Sequence, residues 1–190
     1  MVTVVNYMLS FNEGIMLFSK IGVSMKSLSL FLLVNLLISF GVNANTQLDV
    51  SVAFEEMKSL VGVWKKEGGK SPNFSVSFEL TANNTVLVET WLHKGKKHSF
   101  TMYHLDNESL IATHYCPQGN QPRLKLAKES TLHDLRFRFY DATNLADSSN
   151  SHQHSLGFEF SKNSNSILRK ESYISTANED NSALRLVRVQ

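Results

Sequence analysis

The sequence predicts a mainly β protein: a single antiparallel up-and-down barrel of about ten strands, preceded by one short helix. Three observations point there. From Phe74 onward apolar side chains alternate with polar ones, the period of a strand with one buried face. Asn, Asp, Gly and Ser interrupt that pattern at the regular intervals of hairpin turns. Only one stretch, Asp49 to Leu60, carries a helical period.

In the helix, Asp49 or Ser51 supplies an N-cap, and Phe54, Met57 and Leu60/Val61 form one apolar stripe. A short segment, Gly62–Lys66, begins the strands. Phe74, Val76, Phe78 and Leu80 alternate up to the turn at Asn83-Asn84. Thr85 to Leu92 ends at Lys94-Gly95, and Lys97 to Leu105 ends at Asp106-Asn107. Ser109 to Cys116 stops at Pro117. Arg123 to Ala127, Leu132 to Tyr140, His152 to Phe160, Ser166 to Ile174 and Ala183 to Val189 complete the meander. Closure removes the exposed edges that an open meander would leave. Asp141 to Ser151 is polar enough for a long loop.

Ahead of the barrel, Met25-Lys26 opens a basic start, Leu28 to Phe40 is an apolar run, and Val42-Asn43-Ala44 is a small-residue end. That is the order of a secretory signal peptide, with cleavage expected after Ala44. Residues 1–24 do not fit the design, and Met25 is the better start. The expected organisation is therefore 1–24 upstream of the true start, 25–44 signal peptide and 45–190 barrel. The exported protein would be periplasmic or secreted, with no stable membrane insertion once the signal is removed.

Composition narrows the function classes. A formal charge of +2 gives no field for nucleic acid. Cys116 is the only cysteine, so no internal disulfide and no C-x-x-C site can form. There is no phosphate-binding glycine loop, dinucleotide fingerprint or G-x-S-x-G elbow.

Two clusters carry candidate chemistry. The segment from Thr113 to Arg123 (THYCPQGNQPR) mounts His114, Tyr115, Asn120, Gln121 and Arg123 on a loop stiffened by Pro117 and Pro122. These residues either bind a ligand or satisfy backbone groups in a long turn. The second cluster is His152-x-His154. In a strand these share a face, and Leu156, Phe158 and Phe160 have the same parity, so both imidazoles are expected to point inward. With His114 as third ligand they could hold a zinc ion; otherwise they are hydrogen-bonded pocket histidines, and no cofactor is needed. A two-residue turn at Asp106-Asn107 would set Tyr103 on the face of His114 and His104 on the opposite one. Cys116 has His114 on its face as a possible base, but no nucleophile motif surrounds it. Arg136 and Arg138 alternate with Leu135, Phe137 and Phe139 and should lie on the solvated outer face; Glu89, between Val88 and Thr90, invites the same plain reading.

These residues resemble a bacterial lipocalin-like barrel family of unknown function. The blocks that carry the resemblance are Leu60-Val61-Gly62-x-Trp64, Val88-Glu89-Thr90, Met102 to Asp106, the THYC-x-x-GNQPR block, Phe139-x-Asp141-Ala142-Thr143-Asn144 and His152-x-His154. Val63 and Asn107 depart from the usual pattern without threatening a strand or a turn. The resemblance implies a barrel whose Trp64 closes one end beneath the helix, and a Gram-negative periplasmic setting. It implies no reaction.

Three functions follow as expectations. The first is an exported barrel that binds a small, partly apolar ligand, oriented by His114, Tyr115, Asn120, Gln121, Arg123, His152 and His154. The second is a metal-assisted hydrolase or isomerase built on His114, His152 and His154. The third is a structural envelope protein in which the polar clusters only brace the fold. No catalytic residue is assigned.

Overall fold

The computed structural model describes residues 47–69, 73–162, 165–175 and 178–189. The expected start at Met25, the signal segment and the Ala44 cleavage point lie outside them. The described chain runs α1 (Val50–Lys58), β1 (Gly62–Lys66), β2 (Phe74–Thr81), β3 (Val86–His93), β4 (Lys96–Asp106), β5 (Ser109–Tyr115), β6 (Gln121–Leu126), β7 (Asp134–Thr143), β8 (His152–Phe160), β9 (Ser166–Ser175) and β10 (Asn178–Arg188). Each strand pairs antiparallel with its sequence neighbours, and β1 pairs with β10, closing the barrel.

The alternation read from the sequence is the cause of closure. Trp64, Val76, Phe78, Leu87, Tyr103, Ala112, Leu124, Leu135, Phe137, Phe158 and Leu186 are fully buried in one core. Arg136 and Arg138 lie outside, paired with Asp134 and Glu129 across exposed surface. Rings meet edge to face inside, as in Tyr103–Phe137 and Tyr103–Phe158, the arrangement their quadrupoles favour.

Successive turns alternate between the two ends of such a barrel, and the helix closes one of them. Asp49 caps α1 by accepting from the Ser51 amide at 2.7 Å. Ala53, Phe54 and Met57 bury the apolar stripe. The far end of α1 would leave carbonyls without partners. Arg188, at the end of β10, donates to Val61 O at 2.5 Å and Ser59 O at 2.7 Å, and Trp64 Nε1 donates to Leu60 O at 2.7 Å. The guanidinium lies 4.4 Å from the Trp64 ring centre, a cation–π contact. Gly62 is required here: its φ is +132°, and a Cβ would meet Arg188 Nη1 at 2.8 Å.

Three register shifts interrupt the ladders, at Trp91/Leu92, Arg123/Leu124 and Gln153/Ser155. Each inserts a residue on one strand and re-aims its neighbours. The β4–β5 turn falls at Asn107-Glu108, with Asp106 opposite Ser109 and Asn107 at φ +51°. Relative to a turn at Asp106-Asn107 this moves the register by two, so face assignments survive. Thr101 pairs with His114 and Tyr103 with Ala112, which leaves Tyr103 and His114 on one face. Strand β10 begins at Asn178, earlier than its apolar part, because β9 supplies a full partner edge for the polar run Asn178–Ser182.

Candidate functional site

The end of the barrel opposite the helix is built differently. Leu87, Glu89 and Trp91 alternate on β3, and Ile167, Arg169, Glu171 and Tyr173 alternate on β9. The same parity that buries Leu87 and Ile167 carries Glu89 and Arg169 inside, where Glu89 is 0% and Arg169 2% exposed. They meet across the interior: Arg169 Nε donates to Glu89 Oε1 at 2.7 Å, and Arg169 Nη1 donates to Glu171 Oε2 at 2.8 Å. Trp91 Nε1 donates to Glu89 Oε1 at 2.5 Å, and the Tyr103 hydroxyl donates to Glu89 Oε2. Gln153 Nε2 donates to Glu171 Oε2 at 3.0 Å. Arg169 also lies 4.6 Å from the Trp91 ring centre.

A buried ion pair persists only when its desolvation is offset by partners of this kind. Burial pulls the Arg169 guanidinium toward neutrality, but the Glu89 and Glu171 carboxylates override it and hold the charge firmly. Burial would raise Glu171; Arg169 outweighs that and keeps its carboxyl below the usual range. Tyr103 is pushed up by burial and by Glu89, so it remains a hydroxyl donor.

His114 completes the cluster. Its Nδ1 meets Thr101 Oγ1 at 2.9 Å and its Nε2 meets the Tyr173 hydroxyl at 3.3 Å. Burial, then the nearby Arg169 charge, lowers it to about 4, so the imidazole is neutral near pH 7. Trp91, His98, Ser99, His114, Pro117, Arg169, Glu171 and Tyr173 line a pocket of about 120 Å³. At His98, Pro117 and Tyr173 it adjoins an open hollow of about 570 Å³ lined also by Cys116, Gln118 and Ser151. Arg169 Nη2 and Gln153 Oε1 are buried and have no hydrogen-bond partner among the described residues.

Of the residues singled out in the sequence, His114 lines this pocket and the others stand elsewhere. Tyr115 is partly exposed and stacks on Phe100 at 4.6 Å. Asn120 Nδ2 donates to Ser151 O at 2.8 Å, and Gln121 Nε2 donates to Gly119 O at 3.0 Å while Gln121 Oε1 accepts from Thr143 Oγ1 at 2.7 Å. Asn144 Nδ2 donates to the same Gly119 carbonyl at 2.7 Å, and Arg123 pairs with Asp141, its Nε at 2.6 Å. So the GNQPR and D-A-T-N blocks brace each other, with Gly119 at φ +89° in the turn between β5 and β6. Cys116 is buried, its thiol pushed up by burial and its Sγ 3.5 Å from the Gln118 amide, the opposite of an activated nucleophile.

His152 and His154 pack on Phe139, with ring centres 4.4 and 6.0 Å from it. The bulge in β8 breaks the simple alternation here. Gln153 lies opposite Tyr173 and bonds to Glu171, so Gln153 joins the polar interior. Among the described residues, no three His, Cys, Asp or Glu side chains come together as a metal site; His114 sits with Thr101 and Tyr173, and His152 and His154 with Phe139.

Glu89, Arg169, Glu171, Tyr173 and Trp91 were not expected as site residues. A signal for them exists: Leu87-x-Glu89-x-Trp91 and Ile167-x-Arg169-x-Glu171-x-Tyr173 each interleave charged with apolar residues on one parity. Glu89 is the clear correction. It is not solvated, because its parity is that of Leu87 and because Arg169, 80 residues later, supplies its counter-charge.

No protein-family model matches the sequence, and no curated protein sequence matches it. Among solved structures, the chain is similar to the crystal structure of Rv2717c from M. tuberculosis, at a TM-score of 0.45 and 15% identity over 73% of this chain and 98% of that one.

Proposed function

We propose that this barrel binds a small, neutral, polar molecule in the pocket at its loop-bearing end. One observation carries the reading: Arg169 Nη2 is a buried donor without a partner among the described residues, and Arg169 lines the pocket. A buried donor left unmade costs about 1–3 kcal/mol, so a site that retains one is built for an acceptor. Arg169 already faces Glu89 and Glu171, so it lacks a hydrogen bond rather than a counter-charge. That favours a carbonyl or amide oxygen over an anion. Trp91 and Tyr173 supply flat walls for a compact planar group, and the adjoining hollow takes any larger part of the molecule. A polar ligand is proposed here in place of the partly apolar one expected from the strand pattern, because polar and charged side chains line this pocket while Phe78, Leu87, Phe137 and Phe158 pack together in the core.

Native mass spectrometry of protein purified under mild conditions, followed by a thermal-shift screen of small amides, ureas and carboxylic acids, tests this. Amides should raise Tm and change the fluorescence of Trp91, and carboxylates should do less. Ser99→Leu, which fills the pocket, should abolish the shift while the barrel still melts cooperatively. A screen with no stabilising compound and no co-purifying molecule would leave the structural role in its stead. Export belongs to the same reading, supported by the signal-like order of Met25 to Ala44. N-terminal sequencing of protein recovered from the periplasm should begin at Asn45.

A further inference from the structure

A separate set of polar atoms near the same end, independent of the Arg169 pocket, points to a metal site. His152 is buried, and its Nδ1 lies 2.7 Å from the Asn150 carbonyl. That contact needs the proton on Nδ1, which leaves the lone pair of the neutral ring on Nε2. A backbone carbonyl fixing the tautomer in this way is the usual outer partner of a metal-binding histidine. Nε2 of His152 is buried with no hydrogen-bond partner among the described residues, and so is Nδ1 of His154. A third such atom, Oδ1 of Asn120, belongs to a side chain tied to the carbonyl of Ser151, next to His152. Hydrogen bonds to the described residues explain none of the three.

The ring geometry suits one shared ion. An ion ~2.0–2.1 Å from an imidazole nitrogen sits roughly 3.2 Å from that ring's centre. Two rings sharing it therefore have centres about 5.2 Å apart at a tetrahedral angle and about 6.4 Å apart in a line. The His152 and His154 centres are 5.8 Å apart, with planes at 72°. Phe139 lies against both rings and shields that side from water.

We infer that His152 Nε2 and His154 Nδ1 bind a single monovalent copper ion, with Asn120 Oδ1 as a neighbouring weak donor. The valence follows from charge. No Cys, Asp, Glu or further His joins the pair among the described residues, so every donor is neutral. A divalent ion buried there would keep its full charge uncompensated, whereas a single charge is much less costly to desolvate. Imidazole nitrogen suits copper, and Cu(I) accepts few ligands.

The test is a titration of the untagged full chain with Cu(I), kept reduced by ascorbate without oxygen, in competition with bicinchoninate. One equivalent should bind. His152→Phe and His154→Phe should each weaken binding at least tenfold, while His114→Phe and Cys116→Ser leave it unchanged. If a Phe variant does not fold, His154→Gln takes its place, with circular dichroism to verify the barrel. X-ray absorption of the loaded protein should show nitrogen or oxygen neighbours and no sulfur. Failure to compete with bicinchoninate would overturn the inference. So would binding lost in Cys116→Ser, binding untouched by the His152 and His154 variants, or a sulfur neighbour. None of these outcomes bears on the amide screen, which reads Arg169.

Discussion

The two ends of this barrel solve the same problem in opposite ways. At the helix end Trp64 Nε1 and both terminal nitrogens of Arg188 meet carbonyls just past α1, above a buried apolar cluster that includes Phe54, Met57 and Leu60. At the loop end, charges are buried beneath an open hollow, and Arg169, Gln153, His152, His154 and Asn120 each retain a buried polar atom without a partner among the described residues. A closed end with its hydrogen bonds satisfied adds stability and little else. Unsatisfied groups are tolerated where something else is meant to satisfy them. That contrast is the support for placing the proposed binding at the loop end.

Substitutions sharpen that contrast, beginning with the largest expected effect. Arg169→Met leaves Glu89 buried and unpaired, and should cost about 3–5 kcal/mol in urea unfolding. Adding Glu89→Leu should recover much of that loss. If Arg169→Met alone were near neutral, the loop end would not depend on its buried charge.

The next effect is one of pH. His114 has a folded value of about 4 against 6.5 unfolded, lowered by burial and then by Arg169. The unfolded chain therefore binds the proton more readily. The stability that the neutral ring supports is fully present above pH 6.5, and is lost as the pH falls from about 6.5 to about 4. The loss should reach about 3 kcal/mol. His114→Gln should flatten that part of the stability–pH curve, measured by denaturant melts at several pH values.

At the closed end, Arg188→Met keeps the apolar stem over Trp64 but removes two carbonyl contacts. It should cost about 1–2 kcal/mol and speed amide exchange in Ser59 to Val61, without touching ligand or copper binding. The smallest effect belongs to the outer face: Arg138→Ala, whose partner Glu129 is also exposed, should change stability by less than about 0.5 kcal/mol. A larger loss there would mean that the outer pairs form a network.

Much of the architecture was legible. Ten strands, one capped helix and the outward Arg136 and Arg138 follow from a period of two and from turn residues, which are local properties. His114 could be set on the face of Tyr103 even with the turn misplaced by one residue, because the register moves in steps that preserve parity. The site was less legible. The dense polar block from Thr113 to Arg123 drew attention because its residues are adjacent. Yet Gln121 and Arg123 bond to Gly119, Thr143 and Asp141, and the Nδ2 of Asn120 bonds to Ser151. The bulge in β8 breaks the parity from which His152 and His154 were assigned, and a bulge has no sequence mark as strong as Gly in a turn.

Alternation and turn chemistry are written into neighbouring residues, so the sequence alone determined that the chain would form a meander with one apolar face. Which charges that face would carry inward, and which partner each would meet, depended on closure. Glu89 and Arg169 are 80 residues apart and have no reason to be buried separately. Only the closed barrel brings them within a hydrogen bond, buries both, and leaves Arg169 Nη2 without a partner among the described residues beside the pocket. A single buried charge is too costly to hold, and a compensated pair is not, so this buried charge cluster came into being with the tertiary fold.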